Sequence, residues 1–135
     1  DAHILGSDTW ENESIVMAAG SAAEGVVFST FFDENDESTP MAKDFVNGFK
    51  AYLNEDPQRV TLNGGTDGVA AVSALGYDAY MTMVAALASL DGVEGDLTSV
   101  NLRDALAAVN HDGVTGNITF DETGDANKDS AYLKK

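Results

Sequence analysis

The spacing of apolar positions changes from one stretch of the chain to the next, and each change predicts an element. HILGS, residues 3–7, is a brief apolar run that fits a short buried strand. ENESIVMAAG follows, with Ile15, Val16 and Ala19 at helical spacing and Gly20 as the stop. GVVFSTFF then concentrates β-branched and aromatic residues, which is a strand signal. A β-α-β unit this compact implies parallel strands with a right-handed crossover. The loop DENDESTP ends in a helix start, with Ser38 or Thr39 as cap and Pro40 in the first turn. That helix sets Met41, Phe45, Phe49, Tyr52 and Leu53 on one face.

NEDPQRVTLNGGTDG reads as the most linker-like stretch. Two more helices are predicted after it, over about 69–90 and about 99–109, the second with Leu102, Ala105, Leu106 and Val109 inward. GVTGNITFDETGD reads as a strand with turns on both sides, and SAYLKK as a weaker strand. There is no internal repeat. The order predicts an α/β fold.

Charge changes the picture more than hydropathy does. The 135 residues are 44% hydrophobic, enough for a core, but 23 acids face 7 basic residues for a net charge of -16. Such a surface repels nucleic acid and anionic membranes. With no cysteine, disulfides, thiolate metal sites and cysteine nucleophiles are excluded. The chain starts without Met inside an apolar run and stops at AYLKK, so the expectation is a piece of a longer protein.

Most candidate chemistry has a plainer explanation. AAVSALGYDAYMTMVAALASL has the length of a membrane span, but Asp78 near its middle would be costly in lipid, and a helix buried in a soluble domain accounts for it better. NGGTDG lacks the Lys-Ser/Thr of a phosphate loop and reads as a turn. Asp125, Asn127 and Asp129 alternate as in a calcium loop, but Ser130 stands where glycine is required, so an acidic turn is the reading. His3 and His111 have no partner at metal-binding spacing. There is no G-x-S-x-G elbow, and paired carboxylates discriminate nothing in so acidic a chain. Asn12 and Asn117 head formal glycosylation sequons of a kind chance readily produces. No catalytic residue, metal or cofactor is assigned.

GSDTW, residues 6–10, remains. In parallel sheets ligands bind beyond the carboxyl ends of strands, which is where Asp8 falls. Its carboxylate suits an ammonium group, and Trp10 would add apolar surface. Equally, Ser7 or Asp8 could cap the following helix.

Four stretches in register, ILGSDTW, AAGSAAEGVVFSTFF, LGYDAYMTMVAAL and DGVTGNITFDETGD, resemble the branched-chain amino-acid-binding proteins of bacterial ABC importers, which are type I periplasmic binding proteins. The resemblance spans essentially the whole chain and matches the C-terminal portion of the family's sequence. It implies part of a two-lobed fold of flavodoxin-like parallel sheets flanked by helices. Residues 1–32 would belong to the second lobe and 33–129 to the C-terminal part of the first. Residues 130–135 would be a crossover returning to the second lobe. It further implies that Asp8 receives the ligand's α-ammonium, with Ser7 beside it, Trp10 on the cleft wall and Val72 or Ser73 lining the pocket. The implied partners are an amino acid and an ABC permease in the membrane, with the missing N-terminal part of the chain or a swapped second copy covering the open sheet. The implied location is extracytoplasmic, in the periplasm or on a cell-surface lipoprotein. A ligand-sensing domain of a receptor or regulator has the same fold and is the alternative; an enzyme of flavodoxin-like architecture ranks last.

Overall fold

A computed structural model describes residues 3–36, 38–91, 97–128 and 130–135. The fold is α/β and divides into two compact units, residues 1–74 with 130–135, and residues 75–129.

The first unit holds a three-stranded sheet ordered β1-β2-β5. Strand β1, Leu5–Gly6, pairs in parallel with β2, Val27–Thr30, and β5, Tyr132–Lys134, adds antiparallel to the other edge of β2. The crossover contains helix α1, Glu13–Ala19, so the β-α-β unit with parallel strands is present. The expectation of a buried first strand is corrected: Leu5 is 79% exposed and Ile4 48%. A parallel sheet needs both faces covered, and one short crossover helix cannot do that. Helix α1 is capped by Asn12, whose side chain accepts from Ser14 N at 2.8 Å, and it ends at Gly20 with φ 54°. The capping role considered for Ser7 or Asp8 therefore falls to Asn12.

Helix α2, Pro40–Asn54, starts as expected, with Thr39 Oγ1 accepting from Ala42 N and Pro40 in the first turn. Its buried face differs from the expected one. Ala42, Val46 and Leu53 are buried and Phe45 and Phe49 half-buried, while Met41 and Tyr52 stay exposed. The face is fixed by ring contacts: Phe32 meets Phe45 edge-on at 6.0 Å, and Phe45 meets Phe49 at 5.8 Å. Tyr52 lies instead under the Arg59 guanidinium, 3.9 Å from its ring centre.

The linker reading of the next stretch is also corrected. Residues Pro57–Leu62 form helix α3, capped by Asp56, which accepts from Gln58 N at 2.9 Å. Asp-Pro was a cap followed by a first-turn proline rather than a breaker. The NGGTDG turn follows, with Gly64 and Gly65 at φ 83° and 89°, and Asn63 Nδ2 donating to the carbonyls of Thr66 and Gly68.

Helix α4, Ala71–Ser89, begins in the first unit and supplies the long helix of the second. By length and composition alone it could cross a membrane. Its buried stripe is Ala71, Ala74, Asp78, Thr82 and Ala86, and the opposite side leaves Tyr77, Tyr80, Met83, Val84 and Leu87 partly exposed. The helix is thus buried on one face only, not all round. Helix α5 is Ser99–Ala107, capped by Thr98, and its Leu102, Ala105 and Leu106 are half-buried. The single strand expected after it is a hairpin of β3, His111–Gly113, and β4, Gly116–Ile118. His-Asp-Gly carries no strand propensity and is held by pairing with its neighbour.

Candidate ligand-binding site

The turn after β1 follows directly from the sequence. Residues Asp8–Trp10 wind as one 3-10 turn, with Trp10 N bonded to Ser7 O at 3.0 Å. Gly6 lets the Trp10 indole fold back over the strand end, since a Cβ there would lie 2.9 Å from Trp10 Cδ2. The Ser7 hydroxyl bonds Thr9 Oγ1 at 2.9 Å, and Ser7 makes no capping bond to the turn. Asp8 is half-buried, and its carboxylate has no hydrogen bond or ion pair among the described residues.

Trp10 also lines a concavity of about 450 Å³ in the first unit, with Val72 and Ser73 from the first turn of α4. Asn63, Gly64 and Thr66 of the NGGTDG turn complete part of its rim. Val72 and Trp10, far apart in the chain, thus share one wall system. Asp8 and Ser7 sit on the adjoining turn and are not among the lining residues. A second, more apolar concavity of about 930 Å³ lies between α1 and the strands, lined by Ile4, Trp10, Ile15, Val16 and Phe28 among others.

One residue of this region escaped the sequence reading. Glu11 lines the concavity with its side chain 11% exposed. Its Oε2 accepts from Thr30 Oγ1 at 2.8 Å and from Ala71 N at 2.7 Å, and its Oε1 pairs with Lys134 Nζ. Ala71 N is one of the four amides that a helix start leaves without an internal partner. Nearby, Glu34 Oε2 accepts from Val69 N at 3.1 Å and pairs with Lys50 at 2.8 Å. In a chain with so many acids, only the long-range partners distinguish Glu11, and these are invisible in sequence.

The other motifs do not build sites. Among the described residues no three His, Cys, Asp or Glu side chains group as metal ligands. Of the calcium-loop candidates, Asn127 turns its amide nitrogen to Thr119 Oγ1, Asp125 accepts from Thr123 Oγ1, and Asp129 lies outside the described residues. His3 is exposed and His111 pairs across the hairpin with Ile118. Asn117 of the second sequon donates to Asn110 and Asp112.

Comparison with known proteins gives one consistent answer. Residues 2–134 match the model of a periplasmic binding protein family. A leucine binding protein LivK from Thermotoga maritima superposes with a TM-score of 0.75 at 30% identity, over 98% of this chain and 33% of that one. The branched-chain amino acid transporter substrate binding protein LivJ from Streptococcus pneumoniae, solved with isoleucine, gives 0.71 at 26%, over 98% and 33%. An ABC transporter substrate-binding protein from Desulfitobacterium hafniense gives 0.70 at 26%, over 100% and 33%. The chain therefore spans about a third of the length of these solved relatives. No match was found among curated proteins. With the matched residues running almost end to end and the α/β fold in agreement, the chain belongs to the periplasmic binding protein family, type I.

Proposed function

We propose that this chain is part of an extracytoplasmic solute-binding protein of an ABC importer. It would hold an amino acid, of branched-chain type, between two lobes and hand it to a membrane permease. Asp8 is the acceptor for the ligand's ammonium group, Ser7 its neighbour, Trp10 a wall of the cleft, and Val72 a contact from the other lobe. In this reading residues 1–32 and the returning 130–135 belong to the second lobe, and 33–129 to the first. The remainder of the parent protein supplies the rest of the pocket and covers the exposed sides of β1 and α4.

The observation that carries the reading is the Asp8 carboxylate. It is half-buried at the carboxyl end of a parallel strand and has no partner among the described residues. A partly desolvated carboxylate is costly unless something cationic meets it, and a ligand ammonium meets that need. The named ligands of LivK and LivJ, leucine and isoleucine, carry such a group. The role is binding, not chemistry: a ligand bridging two lobes favours closure only by its extra affinity for the closed state.

Calorimetry of the full-length protein against leucine, isoleucine and valine tests this. Asp8→Ala is expected to weaken the bound amino acid by at least about 30-fold, the effect of removing one partner of a desolvated charge pair. Unchanged affinity would remove Asp8 from the site.

A further inference from the structure

The Asp8–Trp10 turn and the first turn of α4 carry the proposed ligand contacts, and one largely buried side chain joins them. Glu11 immediately follows Trp10, so its position sets where the turn ends. Its Oε2 accepts from Ala71 N, the residue just before Val72, at 2.7 Å. The same oxygen accepts from Thr30 Oγ1 at the end of β2, at 2.8 Å, and Thr30 is 1% exposed. The other oxygen faces the ammonium of Lys134 on β5, which also lies 3.8 Å from Asp33. Glu11 and Lys134 both line the concavity that Trp10, Val72 and Ser73 share.

We infer that Glu11 is a positioning residue of the ligand site, fixing both walls of that concavity against β2 and β5. The inference rests on the amino-acid-binding role proposed above. Charge is essential to it. A carboxylate accepts on both oxygens, and all three groups around Glu11 are donors. Glutamine has the same shape but would turn an N–H₂ towards one of them. With Lys134 that sets donor against donor and leaves the largely buried ammonium only its longer contact to Asp33, at 3.8 Å. Reacting or binding groups displaced by a fraction of an ångström lose much of their effect, so the consequence should reach the ligand without Glu11 touching it.

The test uses the full-length protein with fluorotryptophan incorporated, the Trp10 resonance being assigned by its loss in Trp10→Phe. Glu11→Gln is expected to move the Trp10 resonance in the ligand-free protein and to weaken isoleucine binding by about tenfold or more. Lys134→Met should act in the same direction, and serves alone if Glu11→Gln does not fold. The double variant should be no worse than the poorer single one, because both break one network. Glu55→Gln, which removes an exposed ion pair with Arg59, should leave both readouts at wild-type values. A folded Glu11→Gln protein with wild-type Trp10 resonance and affinity, whatever its melting temperature, overturns the inference, as do fully additive losses in the double variant. If Asp8→Ala and Glu11→Gln part company, with only the former losing ligand, Glu11 fails and the binding role stands. If the wild-type protein binds none of the three amino acids while Glu11→Gln still moves the resonance, the binding role fails and the positioning of the turn is supported.

Discussion

Asp78 and Thr115, 37 positions apart in the chain, are bonded twice through one oxygen: Asp78 Oδ2 accepts from Thr115 N at 2.8 Å and from Thr115 Oγ1 at 2.6 Å. The other oxygen accepts from Val114 N at 2.7 Å. Lys128 Nζ donates to Thr115 Oγ1 at 2.7 Å, so the hydroxyl passes the interaction on to the carboxylate. Asp78 is only 2% exposed, and the one acid of this long apolar helix is held by this turn.

Two backbone amides and one hydroxyl donate to that acid. Asp78→Ala would strand two backbone amides, and the expected loss of stability is about 2–4 kcal/mol. Thr115→Val keeps the amide bond and should cost about 1 kcal/mol. Gly113→Ala would place a Cβ 2.6 Å from the carboxylate and should fall between them. Urea unfolding of the full-length variants gives the order, and Thr115→Val as the most damaging would refute this account of the turn.

What could be read from sequence follows the range of the interactions. The β-α-β order, the Thr39-Pro40 helix start and the extent of α4 rest on neighbours along the chain, and they are present. The buried face of α2 depended on Phe32 lying against Phe45, which no helical wheel contains. The hairpin strand His111–Gly113 exists because Gly116–Ile118 pairs with it. Helix α3 is different: its Asp-Pro cap was legible, but the nearby glycines outweighed it. At the candidate site, the strand-end position singled out Asp8 and Trp10, whereas Glu11 is defined by Thr30, Ala71 and Lys134, up to 123 residues away.

The pH dependence of stability should carry a mark of Tyr132. Its hydroxyl donates to Asp36 Oδ2, which pushes the phenol up to about 12 from 10.0, with burial adding to the rise. The same bond, helped by Ser38 N, holds Asp36 below 3.8. For the phenol, the folded value is raised, so its contribution is complete below 10.0 and is lost as pH climbs through about 12. For the carboxyl, the folded value is lowered, so the contribution is complete above 3.8 and is lost as pH falls below it. Tyr132→Phe should remove a step near pH 12 from the tyrosinate absorbance titration and flatten the alkaline limb of the melting curve. A titration unchanged by the substitution would contradict the bond.

Gly6 offers the most selective test of the pocket turn. Its backbone is ordinary strand, so alanine is not strained there; the obstacle is the indole. A Cβ would sit 2.9 Å and 3.0 Å from Trp10 Cδ2 and Cγ, and 3.2 Å from Phe28 Cβ. Phe28 belongs to the paired strand and cannot retreat, whereas Trp10 is 43% exposed and has room to swing outward. Gly6→Ala should therefore cost under about 1 kcal/mol of stability, since the displaced ring goes to solvent instead of overpacking a core. The Trp10 signal should nonetheless shift to that of a more solvated indole, with faster quenching by a soluble quencher. If Trp10 is a cleft wall, amino-acid affinity falls with it, by roughly the tenfold that loss of one apolar contact of this size produces. Full affinity with a demonstrably displaced Trp10 would take the indole out of the cleft while leaving Asp8 in it.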